Sequence, residues 1–99
     1  MSIAFLNDSY MPITEAKISP LDRGFLFGDG IYEVIPSYQG KLLGFKAHID
    51  RMLDGLSGIG LKLNWSHSDW QDMCEKLAIE NGNGNLGIYL QVSRGADIK

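Results

Sequence analysis

One cysteine, Cys74, is the only thiol in the chain, so no intrachain disulfide can form. A lone thiol fits a reducing compartment. No window approaches the roughly 18 consecutive apolar residues of a helical membrane span. The segment from Met1 to Asn7 lacks both the basic start and the apolar stretch of a signal peptide. Basic residues are few and scattered between Lys17 and Lys99, and the net charge is −3, which argues against nucleic acid as a partner. Neither His67 nor Cys74 has a partner at metal or nucleophile spacing, so no metal is expected. Together these absences lead to the expectation of a cytoplasmic protein that works away from membranes.

What remains is ordinary globular material, 44% apolar and 21% charged. Its 99 residues amount to a single domain, 1–99, with a thin core that buries roughly 60–70% of the unfolded surface. Ile3 to Leu6 is a short apolar run stopped by Asn7-Asp8-Ser9, and Tyr10 to Ile13 follows, which reads as two strands and a turn. The β-branched and aromatic stretch Ile31 to Tyr38, then Gln39-Gly40, then Lys41 to Phe45 is a hairpin signal. Pro36 cannot donate to a ladder, so that strand is expected to be an edge or bulged there.

From Ala47 to Ile59 the period becomes helical, with Ile49, Met52, Leu53, Leu56 and Ile59 on one face and Gly58 and Gly60 at the end. Ser66 to Asp69 resembles a capping box ahead of a second helix, which lines up Trp70, Met73, Cys74, Leu77 and Ala78. Asn81 to Asn85 is a turn. Leu86 to Ser93 alternates as a final strand. The fold class is therefore α+β, a mainly antiparallel sheet with two helices on one side.

The densest segment is Asp22 to Val34, with Gly24, Gly28 and Gly30 close together. It reads as a turn leading into a strand, with tight bends or close backbone approach at the glycines. On that strand Tyr32 and Glu33 point to opposite faces, so one of them should face the core or a cleft. The alternative is a bulged turn whose charges are solvated. No Walker lysine follows, and the segment enters a strand rather than a helix, which excludes a phosphate-cradling glycine loop. His48 and Arg51 lie three apart on one side of the first helix. Arg51 is either a phosphate ligand, for which its fork of donors is suited, or a surface residue in an ion pair. Arg94 before Gly95 ends a strand and either opens a site-lining loop or is a solubilising charge.

Four blocks in order carry a resemblance. These are Leu21-Asp22-Arg23-Gly24, Phe27-Gly28-Asp29-Gly30-Ile31-Tyr32-Glu33, His48-Ile49-Asp50-Arg51-Met52 and Gln91-Val92-Ser93-Arg94-Gly95. With Phe5-Leu6-Asn7-Asp8 as a first strand, the sequence resembles the N-terminal domain of class IV aminotransferases, closest to the D-amino-acid aminotransferases. The resemblance covers nearly the whole chain. It implies pyridoxal 5′-phosphate (PLP) as cofactor, Arg51 as the residue that binds its phosphate, and Tyr32 as a substrate-binding residue that contacts the substrate carboxylate. Glu33 matches an acidic position near the site. Arg94 opens the loop in which D-amino-acid enzymes carry further carboxylate ligands, which would fall beyond Lys99.

The resemblance also implies that the Schiff-base lysine and the partner of the pyridine nitrogen belong to a C-terminal domain absent here. No catalytic residue is therefore expected in this chain, and the isolated chain is expected to be inactive. The complete enzyme would be a homodimer that moves an amino group between a D-amino acid, such as D-alanine, and a 2-oxo acid. Branched-chain amino-acid aminotransferase and aminodeoxychorismate lyase activities are the alternatives on the same fold. A non-catalytic binding module is the alternative of another class.

Overall fold

The computed structural model describes residues 2–96; Asp97 to Lys99, where the loop expected after Arg94 runs on, lie outside the described residues. The chain opens with a hairpin of β1 (Ile3–Leu6) and β2 (Ser9–Pro12), paired from Ile3↔Pro12 to Leu6↔Ser9. Asn7 and Asp8 form its two-residue turn with φ of 48° and 69°. Positive φ at both positions matches the strand twist, and Asn and Asp tolerate it.

A second antiparallel sheet holds β3 (Gly30–Tyr38), β4 (Lys41–Leu42) and β5 (Asn85–Ser93) in the order β4-β3-β5. The pairing of β3 with β5 is continuous from Gly30↔Ser93 to Tyr38↔Asn85. β4 is shorter than the sequence suggests, because Phe45 already begins the next helix. Pro36 therefore lies on a strand with neighbours on both sides, yet it disrupts neither. Its carbonyl accepts from Leu43 N at 2.9 Å, just past the end of β4. Within a strand the N and C=O of one residue face the same neighbour, so the missing N–H also faces the β4 side and no bond to β5 is lost.

Helix α2 (Phe45–Gly58) runs back along β3, and α3 (His67–Glu80) packs beside it. Both press on one face of the sheet. Ile35, Ile88 and Leu90 from the strands meet Ile49, Met52 and Leu56 from α2 and Trp70, Met73, Cys74 and Ala78 from α3. Ser66 closes the expected capping box with Asp69, each side chain accepting from the other's backbone N–H. Trp65 and Trp70 pack edge to face at 4.9 Å. Asn81 ties the hairpin to the end of α3, its side chain bonding to both Ile3 N (2.9 Å) and Ile3 O (3.0 Å). No helix of the described residues is long and apolar enough to cross a membrane.

The segment ahead of β3 is more ordered than a turn. Arg23–Phe27 forms a short helix, α1, capped by the Asp22 side chain on Gly24 N at 2.8 Å and ended by Gly28 in the left-handed region. Its apolar residues Phe25 and Phe27 face outward, which is why no helical periodicity marks it in the sequence. The other face of the sheet is also uncovered, with Tyr32, Val34, Tyr38 and Tyr89 exposed.

The α2–β3 seam is set by Gly55. A Cβ there would stand 2.9 Å from Ile31 Cδ1 and 3.1 Å from both Ile31 Cγ1 and Cγ2. Gly55→Ala is expected to destabilise the protein by about 1–2 kcal/mol, because overpacking outweighs the gain in helix propensity. Gly58→Ala in the same helix has nothing within 4 Å and should stabilise by about 0.5–1 kcal/mol. Urea unfolding of the two variants should give midpoint shifts of opposite sign; shifts of one sign would refute the close-approach account.

Candidate functional site

Alternation along β3 puts Tyr32 on the open face and Glu33 on the helix face. Glu33 is only 6% exposed, and a carboxylate so placed needs partners. They come from the first two turns of α2. Arg51 Nε donates to Glu33 Oε2 at 2.6 Å, and Arg51 Nη2 donates to Oε1 at 2.8 Å. His48 Nδ1 lies 2.7 Å from the same Oε1. An ionised carboxylate can only accept, so His48 carries its proton on Nδ1. The three-residue spacing of His48 and Arg51 brings both onto the side of α2 that faces β3.

The Arg51 fork, and after it the His48 hydrogen bond, hold the Glu33 carboxyl down from 4.5 to about 2 against the opposing effect of burial. Glu33 in turn raises the Arg51 pKa. The pairing is side-on, so it consumes Nε and one N–H of Nη2. The guanidinium edge formed by Nη1 and the remaining Nη2 N–H faces away from Glu33. The Arg51 side chain is 72% exposed, so this edge is open. The expectation of an ion pair and the expectation of a phosphate ligand are thus not exclusive: the fork uses one edge and leaves the other.

Arg94 belongs to a second cluster. Its Nε donates to Asp29 Oδ2 at 2.7 Å, and Arg23 Nε donates to the same oxygen at 3.0 Å. Arg94 Nη2 donates to the Ile59 carbonyl at the end of α2, and Arg94 N donates to Asp29 O at 3.0 Å. The two arginines, Arg94 first, lower the Asp29 pKa. Asp29, just ahead of β3, thereby joins the start of α1 to the end of β5. The glycines around it allow this closeness, since a Cβ on Gly24 would meet Ser93 Cβ at 2.8 Å and one on Gly30 would meet Val92 O at 2.7 Å.

Tyr32 shares neither cluster. It is 64% exposed on the open face and stacks on Tyr89, with ring centroids 5.8 Å apart and 17° between planes. The structure therefore brings Glu33, His48 and Arg51 together and keeps Tyr32 and Arg94 apart from them. The sequence reading gave two contributors no role of their own. His48 was signalled by its spacing from Arg51, and Asp29 by its position between two glycines ahead of a strand. Cys74 is buried, with its thiol pushed up to about 12, so it stays unreactive at neutral pH. Among the described residues no group of three His, Cys, Asp or Glu side chains could hold a metal ion.

The arrangement thus presents a paired but solvent-exposed arginine at the sheet–helix seam of an α+β unit. A model of the amino-transferase class IV family matches residues 30–98, a span that includes Tyr32, Glu33, His48, Arg51 and Arg94. The chain belongs to the class IV aminotransferase family. It is 43% identical over 96 residues to a D-alanine aminotransferase of Staphylococcus epidermidis, covering 97% of this chain and 34% of that protein. A D-alanine aminotransferase of Listeria monocytogenes is 37% identical over 90 residues, covering 91% and 31%. The chain thus spans about a third of the length of the curated relatives it matches. Among solved structures, a branched-chain aminotransferase of Thermoproteus uzoniensis shares the fold with a TM-score of 0.86 at 20% identity, over 99% of this chain and 35% of that one. A Legionella pneumophila protein assigned as a 4-amino-4-deoxychorismate lyase gives 0.79 at 22% identity, over 88% and 32%.

The depressed Glu33 pKa has a consequence for stability. The folded value, about 2, lies below the unfolded value near 4.5, so the ionised group stabilises the fold above the unfolded pKa. That contribution is lost as the pH falls from 4.5 towards about 2. Glu33→Gln should flatten the acid limb of stability in this window, read as the urea midpoint against pH. An unchanged slope would show that the Glu33 pair carries no linkage.

Proposed function

We propose that this chain forms the N-terminal small domain of a PLP-dependent aminotransferase that exchanges an amino group between a D-amino acid, such as D-alanine, and a 2-oxo acid. The observation that carries the proposal is the open edge of Arg51, set by a buried carboxylate in a chain 37–43% identical to D-alanine aminotransferases. The residues present fit the cofactor: Arg51 offers two outward nitrogens of a permanent cation, the donor geometry that suits a phosphate. PLP, when bound, supplies an electron sink at the substrate α-carbon.

In this reading Arg51 holds the cofactor phosphate, and the exposed Tyr32 hydroxyl orients the substrate carboxylate. Arg94, fixed by Asp29, sets the exit of the chain from β5 towards the site. The lysine that holds the cofactor covalently is assigned to a second domain, in line with the third of the relatives' length that the chain spans. The complete enzyme is a cytoplasmic homodimer, and the isolated chain has no transaminase activity. Structural likeness to branched-chain enzymes and to a lyase rests on 20–22% identity and marks the fold alone, whereas the stronger sequence identity favours the D-alanine branch.

The test uses the full-length protein. Arg51→Lys keeps the charge and loses the fork, so PLP affinity by equilibrium dialysis should fall about 10-fold, and Arg51→Ala should cost more. Tyr32→Phe should leave PLP affinity unchanged and raise KM for the amino acid. Turnover of D-alanine should exceed that of L-leucine. Equal PLP affinity in wild type and Arg51→Ala would reduce Arg51 to a surface ion-pair residue. Absence of any turnover together with absence of PLP binding would favour a non-catalytic module.

A further inference from the structure

We infer that Glu33, itself held by His48, is a positioning residue that fixes the guanidinium plane of Arg51 for an incoming phosphate group. The inference deepens the preceding reading and rests on Arg51 being the phosphate anchor.

The two partners of the pair differ sharply in burial. The Arg51 side chain is 72% exposed, while the carboxylate it pairs with is 6% exposed. A long exposed side chain ordinarily samples many rotamers, and an exposed ion pair restrains it weakly. Here the acceptor cannot move with it. Glu33 projects from the middle of β3, whose ladder to β5 pairs Glu33 with Leu90. Both carboxylate oxygens are engaged, at 2.6 and 2.8 Å, so the guanidinium is fixed in plane as well as in position. His48, one helical turn before Arg51, occupies Oε1 at 2.7 Å and removes the remaining rotational freedom of the carboxylate.

The arrangement is costly on charge alone. A carboxylate beside the anchor cancels part of the attraction that Arg51 would exert on a phosphate. A site built for net positive charge would leave Glu33 out. A site built for direction needs it, because the pair turns one defined edge of the guanidinium outward. The two views predict opposite signs for the removal of the Glu33 charge, and this makes them separable.

The experiment measures the equilibrium affinity of the full-length protein for PLP and for pyridoxal, which lacks the phosphate. Glu33→Gln keeps the shape but turns an amide N–H towards one guanidinium nitrogen. It should weaken PLP about 10-fold and leave pyridoxal unchanged. His48→Ala should weaken PLP by a smaller factor, about 3-fold, and His48→Asn should restore most of it, since its amide can donate from nearly the place of Nδ1. Unchanged or tighter PLP binding in Glu33→Gln, with binding still lost in Arg51→Ala, overturns the positioning role and leaves the anchor standing. Equal loss of PLP and pyridoxal also overturns it, because a general disturbance of the fold would act on both. If Arg51→Ala itself has no effect, the anchor reading fails and this inference fails with it. Should Glu33→Gln not fold, the His48→Ala and His48→Asn pair decides by the same comparison.

Discussion

A single carboxylate is taken out of water between β3 and α2, and the geometry around it follows from that constraint. Glu33 can stay ionised there only because Arg51 and His48 reach it from the facing helix. This fixes the rotation of α2 about its own axis, since both residues must face the strand. It also fixes the register of β3. A slip by one residue would expose Glu33, leave Arg51 without its carboxylate and turn Tyr32 towards the helices.

The remaining core is arranged to let that pairing occur. Gly55 lets α2 approach Ile31 closely enough for its first turns to lie over Glu33. Asp29 closes the start of the same strand by gathering Arg23 and Arg94, so β3 is pinned ahead of Gly30 as well as at Glu33. The outer face of the sheet, with Tyr32 of β3 and Tyr89 of β5, is left open.

The helices and strands were legible because their periods are clean. Ile49, Met52 and Leu56 recur at helical spacing and are buried, and Ile88 and Leu90 alternate with exposed Tyr89 and Gln91 as a half-covered strand should. Helix α1 was not legible, since five residues with outward Phe25 and Phe27 carry no amphipathic signal. Of the candidate site, the alternation of Tyr32 and Glu33 and the shared side of His48 and Arg51 followed from spacing alone. That Glu33 and Arg51 find each other did not, because no local rule pairs a strand with a helix eighteen residues on. The convergence of Arg23 and Arg94 on Asp29 was hidden for the same reason.

The account centres on Arg51 meeting a phosphate with one edge while Glu33 keeps the other. A crystal structure of the full-length protein with PLP tests this most directly. The account predicts a phosphate oxygen within hydrogen-bonding distance of the outward Arg51 nitrogens, with the bidentate Glu33 pair and the His48 contact intact. A phosphate held elsewhere with Arg51 left in solvent, or an Arg51 that has abandoned Glu33 to reach it, would contradict the account.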